Sequence, residues 1–208
     1  MLWAQAREGS SPSSSTMLKT ISADKKLHAY VIGLALGDGN LSSPKGRAVR
    51  LRITCDKKYP VLYKYIEESL QILLPDNKVS LVDRGTCIDV SCYSNRLESI
   101  LGWKAKGGSK YKQKVKIPNW ILKNKTFIKE CLRGLVQTDG SIFNDRGYQM
   151  VNIVSNIPSL AKTIMSAINK IGYKPNVQIN NGSRTTKHTI RISKNTNQFI
   201  SDVEVWKN

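Results

Sequence analysis

Two aspartates occupy matching places in this chain. Residues 31–41 read VIGLALGDGNL and residues 132–142 read LRGLVQTDGSI. Gly33 recurs as Gly134, Leu34 as Leu135, Asp38 as Asp139 and Gly39 as Gly140, each 101 residues later in a chain of 208. A lone Asp-Gly behind a helix is ordinarily a turn. A second copy in the same register is a repeat, and two copies of one unit fill the chain. If each motif is a helix ending at its aspartate, both carboxylates sit where a helix carries partial negative charge, a placement disfavoured by about 0.3–1 kcal/mol each. Two close carboxylates also repel one another. The free carbonyls of Gly37 and Thr138 in the last turns add oxygen acceptors. Carboxylate, carbonyl and water oxygens together suit a hard cation such as Mg²⁺. Two such ions can stabilise the attacking and leaving oxygens of a phosphodiester displacement.

For that chemistry the two motif helices must lie together. Ala29, Gly33 and Gly37 fall four apart and share a face, and Gly134 and Thr138 make a similar strip. Small residues on facing strips let the helices approach closely, which brings Asp38 and Asp139 side by side. Behind each motif the apolar period changes from helical to alternating. Arg50 to Thr54 and Tyr148 to Ile153 read as half-buried strands. Helices are predicted over 60–74 (Leu62, Ile66, Leu70, Leu73) and 158–171 (Leu160, Ile164, Ala167, Ile168, Ile171), each opened by a proline. Strand pairs follow at 78–83 and 86–91, and at 176–180 and 188–193, with turns near Arg84-Gly85 and Asn181-Gly182. The class is α+β. Residues 1–24 read as a flexible Ser-rich tail without the apolar core of a secretory signal. Residues 25–124 form the first half with a Lys-rich link at 104–116, and residues 125–208 form the second half.

Lys and Arg total 33 against 15 Asp and Glu, a net charge of +18, which points to a polyanionic partner. A membrane surface would call for a basic amphipathic helix, and none stands out; no apolar run is long enough to span a bilayer. Cys55, Cys87, Cys92 and Cys131 form no CxxC pair and join no histidine cluster, which argues against zinc. Cys87, Cys92 and Cys131 read as mostly reduced packing residues of an intracellular protein. His28 and His188 leave little scope for histidine catalysis. Strand alternation turns Leu51, Ile53, Ile88, Val90, Val151, Ile153, Val177, Ile179, Ile190 and Ile192 inward. It leaves Arg50, Arg52, Thr54, Asp89 and Ser91 outward in the first half. In the second it leaves Tyr148, Met150, Asn152, Asn176, Gln178, Asn180, Thr189, Arg191 and Ser193. Arg can bond guanine twice in the major groove, and Asn or Gln can do the same with adenine. The lysines of 104–116 and 123–129 suit phosphates, so binding should weaken steeply with salt.

VIGLALGDG and LRGLVQTDG resemble the two signature motifs of the LAGLIDADG homing endonucleases, and the resemblance covers residues 27–200. It implies two pseudo-symmetric αββαββα units in one monomer. The motif helices, through Gly33 and Gly134, would form the central interface, and the sheets a saddle over double-stranded DNA. It implies Mg²⁺-dependent hydrolysis of both strands of a long site, with Mn²⁺ substituting and Ca²⁺ binding without fast cleavage. By motif match, Asp38 and Asp139 are the metal-binding acids, and Gly37 and Thr138 the carbonyl donors. The polar group that family members carry after the next strand falls here on Cys55-Asp56-Lys57 and Ser155-Asn156. Lys114, with Lys116 beside it, is the candidate basic neighbour of the site. The same fold also serves RNA-binding intron maturases and non-catalytic DNA-binding proteins; the latter would be expected to have lost an aspartate. An intein module would need splicing residues that Met1-Leu2-Trp3 and Lys207-Asn208 do not provide.

Overall fold

Each half of the chain runs helix, two strands, helix, two strands, helix. A computed structural model describes residues 14–44, 46–182 and 185–207, with side chains from Lys25 onward. The first half comprises α1 (Ser14–Leu36), β1 (Gly39–Ser42), β2 (Arg50–Asp56), α2 (Pro60–Leu73), β3 (Val79–Asp83), β4 (Cys87–Tyr93) and α3 (Leu97–Leu101). A short α4 (Asn119–Leu122) precedes the second half: α5 (Lys125–Asp139), β5 (Gly140–Asp145), β6 (Tyr148–Ser155), α6 (Pro158–Lys170), β7 (Asn176–Asn181), β8 (Thr186–Ile192) and α7 (Thr196–Val203). The sheets repeat as β1-β2-β4-β3 and β5-β6-β8-β7, antiparallel throughout. The fold is therefore the α+β pair of αββαββα units expected.

Of the expected tail, residues 1–13 lie outside the described residues, but from Ser14 the backbone is helical and continuous with the motif helix. No glycine or proline interrupts residues 13–32, so a helix anchored at its buried end propagates backward. β1 and β5 are additions to the strands read from alternation. They are edge strands that start on the motif glycines, paired as Gly39 with Ile53 and Gly140 with Ile153. A Cβ at Gly39 would lie 2.4 Å from the Ala35 carbonyl, and one at Gly140 would lie 2.6 Å from Val136. Only glycine allows so sharp an exit from helix to strand.

The core is continuous through both halves. Leu51, Ile53, Val90, Val151, Ile153, Ile190 and Ile192 turn inward and are buried against the helices, as alternation requires. β7 departs from that pattern. Val177 is 36% and Ile179 56% exposed, because β7 is an edge strand that overhangs α6 and leaves an apolar groove along it, lined by Met165, Val177 and Ile179. α5 is started by Asn124, whose side chain accepts from the amides of Thr126 and Phe127 at 2.9 and 3.3 Å.

Candidate functional site

The central pair of helices, α1 and α5, touch backbone to backbone. A Cβ at Gly33 would fall 2.1 Å from the Cys131 carbonyl, and one at Gly134 2.5 Å from the Tyr30 carbonyl. One at Gly37 would strike the Thr138 hydroxyl at 2.0 Å. Nothing larger than hydrogen fits at these crossings, so the small-residue strips do what their spacing predicts. The helices end together, and the Asp38 and Asp139 carboxyls lie within hydrogen-bonding reach of each other. Because β1 leaves Asp38 and β5 leaves Asp139, both sheets extend outward from the acid pair.

Two lysines close on this pair. Lys110 Nζ donates to the α1 carbonyls of Ala35 and Leu36 at 3.2 and 2.8 Å, and to that of Gly37. Lys207 Nζ donates to the Gly140 carbonyl at 2.6 Å and the Thr138 carbonyl at 3.5 Å, at the end of α5. Each ammonium thus offsets the negative end of one motif helix. Each also serves the aspartate across the interface: Lys110 is held charged more by Asp139 than by Asp38, and Lys207 more by Asp38 than by Asp139. One lysine is thus fastened to the end of each motif helix, and both face the acid pair, Lys110 acting on each aspartate more strongly than Lys207.

The electrostatics match this crowding. Burial pushes the Asp139 carboxyl up to about 6, and the neighbouring Asp38 charge pushes the same way, with Lys110 opposing. Asp38 is raised too, by burial first, while Lys110 and the hydrogen bond to Asp139 pull it down; its side chain still meets solvent. Burial lowers Lys110 and Lys207, and the aspartates oppose that shift. The Cys55 thiol, buried beside Asp38, is pushed up to about 12 and is therefore a neutral wall rather than a nucleophile. A cavity of about 460 Å³ opens beside the pair, bounded by Gly37, Lys110 and Asp139 and faced by Asn156 and Lys187.

Not every expected site residue is here. Lys114 and Lys116 are exposed, and Lys114 sits on a left-handed turn with φ 49°. The basic neighbour is instead Lys110, four residues earlier, with Lys207 as its counterpart. Ser155 lines the cavity beside the acid pair, and its hydroxyl also accepts from the Ile157 amide at 3.2 Å in the turn into α6. A sequence signal for Lys207 existed. Lys110 and Lys207 each follow the short last helix of their half, nearly one repeat apart.

The outward faces of the sheets carry the expected polar residues. In the first, Arg50, Arg52, Thr54, Asp89 and Ser91 share one face with Asn40 and Ser42. In the second, Tyr148, Asn152, Thr189, Arg191, Asn176, Gln178 and Asn180 share one face, with Ser193 beside Asn176 at 3.4 Å. Asp89 requires correction as a contact residue. It is 4% exposed, sealed by Thr54 (2.7 Å), Arg84 (3.0 Å) and Arg52 (3.8 Å). Burial favours its protonated form, but these partners outweigh that and hold its carboxyl below the usual range. It gathers arginines instead of meeting a ligand itself.

Residues 126–201 match the model of the LAGLIDADG-like domain. No curated protein sequence matches the chain. Among solved structures, I-DmoI in complex with DNA and Mn aligns with a TM-score of 0.66 at 17% identity, over 86% of this chain and 97% of that one. Mesophilic variants of the homing endonuclease I-DmoI align at 0.66 and 16% identity, over 86% and 96%. The N-terminal LAGLIDADG domain of DUF199/WhiA aligns at 0.60 and 14% identity, over 88% and 84%. Residues 126–201 therefore carry a LAGLIDADG-like domain, and the whole chain shares the fold of these proteins.

Proposed function

We propose that this protein is a monomeric, site-specific DNA endonuclease that breaks both strands of a long duplex target by divalent-metal-dependent phosphodiester hydrolysis. The observation that carries the reading is the acid pair itself. Asp38 and Asp139 meet at two helix C-termini, in the middle of a chain of net charge +18, between two sheets with polar outward faces. Structural matches include I-DmoI crystallised with DNA and Mn, Ca or Mg.

The residues present fit a hard divalent cation. All candidate donors are oxygen: the carboxylates of Asp38 and Asp139, and the carbonyls of Gly37 and Thr138, which a cation would share with or take over from Lys110 and Lys207. No group of three or more His, Cys, Asp or Glu lies together among the described residues. Water and phosphate oxygens would then complete the shell, as Mg²⁺ prefers. Burial first, and the Asp38 charge second, disfavour the Asp139 carboxylate, and a bound cation would offset both. When bound, the metal supplies charge neutralisation at the scissile phosphate and an acidified water.

The protein's own groups do the rest. Each carboxyl must be ionised to serve as a ligand, so the raised Asp139 makes metal binding weaken as pH falls toward 6. Lys110 and Lys207 each hold a proton at Nζ beside the site, where the ammonium offsets phosphate charge and can supply a proton to a leaving oxygen. The outward arginines and amides of the sheets read base edges, and the exposed lysines of the link grip phosphates.

The test is to incubate the protein with a randomised duplex library, with Mg²⁺ or with EDTA, beside Asp139→Asn. One long consensus, cut only with Mg²⁺ and spared by the variant, is the expected result. Specific, salt-sensitive binding without cutting would overturn the nuclease reading and leave a binding protein on this fold.

A further inference from the structure

The two pocket lysines reach the site from irregular segments, and each segment is held by one glutamine. Lys110 lies in the link between halves. There Gln113 accepts from the Lys104 amide at 2.8 Å and donates to the carbonyls of Lys104 and Gly108, each at 2.9 Å. Its amide packs so close to Gly107 that a Cβ there would fall 2.6 Å away. One side chain therefore closes the loop around Lys110.

Lys207 follows α7 in a stretch without regular structure. Here the clamp is Gln137, 3% exposed within α5. Gln137 accepts from the Tyr30 hydroxyl at 2.7 Å and donates to the Trp206 carbonyl at 3.0 Å. Trp206 also packs edge-on against Tyr65, which packs edge-on against Tyr30, both at 5.5 Å between ring centres. The residue next to Lys207 is thus tied to both motif helices at once. Gln137 has no counterpart in the first motif, where the matching position is Leu36, 1% exposed and apolar. A buried amide in place of a leucine needs partners. Its two partners are the helix that carries Asp38 and the segment that carries Lys207.

We propose that Gln137 and Gln113 are positioning residues, Gln137 for Lys207 and Gln113 for Lys110, and that each thereby governs the cutting of one DNA strand. The inference rests on the nuclease reading and adds to it a division of labour. Each lysine is fastened to the end of a different motif helix, so loosening one clamp misplaces one ammonium and leaves the other untouched. A misplacement of about 1 Å slows a reaction by roughly 100-fold. A merely structural loss would slow both strands together.

The experiment uses a duplex recovered from the library by the wild-type protein, with a different dye on each strand and single-turnover rates followed on both. Gln137→Leu, which installs the leucine of the first motif, is expected to slow one strand roughly 10- to 100-fold and to accumulate a nicked product. Lys207→Met should slow the same strand, and adding Gln137→Leu to it should change little. Gln113→Ala and Lys110→Met should slow the opposite strand. If Gln137→Leu fails to fold, Tyr30→Phe combined with it removes the hydroxyl left without its acceptor and carries the same expectation. Equal slowing of both strands, or rates like wild type, would overturn the proposal while leaving the nuclease reading intact. A wild-type protein that cuts neither strand would overturn the nuclease reading, and this inference with it.

Discussion

Replacing Gly134 with alanine puts the helix crossing to a quantitative test. The new methyl would lie 2.5 Å from the Tyr30 carbonyl oxygen, 2.7 Å from the Leu34 nitrogen and 3.1 Å from the Gly33 carbonyl carbon. All three are backbone, so no rotamer change relieves the clash. Carbon needs about 3.5 Å, so α1 and α5 must part by about 1 Å at their centre. Overpacking a core typically costs about 1–3 kcal/mol. With two rigid helices as the only yielding parts, the upper end applies, about 3 kcal/mol. In a protein of this size that corresponds to roughly 6–12 °C in Tm. The same parting moves Asp38 away from Asp139, so metal affinity should fall along with stability. Gly33→Ala makes the mirror clash on the Cys131 carbonyl, at 2.1 Å. Because both substitutions open one gap, the double variant should cost clearly less than the sum of the singles. Urea denaturation gives the stabilities, and calorimetric titration with Mn²⁺ gives the metal affinity without any need for DNA. A Gly134→Ala loss below about 1 kcal/mol, with additive singles, would refute the backbone-contact argument.

Three further outcomes follow from the same geometry. In EDTA, the stability that wild type has over Asp139→Asn should fall as pH rises from about 4 to above 6, the comparison cancelling the carboxylates held low elsewhere. The Asp139 carboxyl sits at about 6 in the folded protein against 3.8 for an ordinary aspartate, so across that window the folded state keeps a proton the unfolded state has lost. Saturating Mg²⁺ should flatten the slope, and denaturation midpoints against pH with and without the metal would expose a wrong sign at once. Asp89→Leu should release Arg52 and Arg84 from their common anchor, blurring base preference in the half-site under the first sheet while total DNA affinity changes less than tenfold; selection of bound duplexes followed by sequencing reads this directly. Affinity for the selected duplex should drop about 10³- to 10⁵-fold between 50 and 200 mM salt if six to ten phosphates are contacted, whereas a flat response would mean the basic surface faces something else.

The acid pair, the helix crossing and the inward faces of β2, β4, β6 and β8 were legible because local spacing encodes them. Four-residue spacing of small residues fixes the crossing, and two-residue alternation fixes the faces. Residues whose roles depend on distant partners were not legible. Asp89 alternates like a surface residue, yet Thr54 and Arg52 from neighbouring β2 and Arg84 from a turn converge on it. Val177 and Ile179 alternate like core residues but lie on an edge strand that α6 does not cover. β1 and β5 escaped because Gly39–Ser42 is too short to display a period, and Gly140–Asp145 begins inside the turn. Lys110 was missed in favour of Lys114 because the Gln113 clamp, a side-chain event without periodicity, sets which lysine of the link turns inward. Gln137 was visible as the one polar residue where the first motif has Leu36, but its meaning required Trp206, 69 residues away.

The segment that joins the halves is usually regarded as the disposable part of a duplicated protein, free to be lengthened, shortened or replaced. Here it cannot be a neutral tether. It delivers Lys110 to the end of α1 and is folded upon itself to do so, which makes residues 104–113 part of the working machine. An engineer who splits this chain into two co-expressed halves, or grafts its second half onto a new first half, must therefore carry the link along with the α1 half. A generic Gly-Ser spacer would preserve connectivity and both sheets, yet leave one helix end without its ammonium.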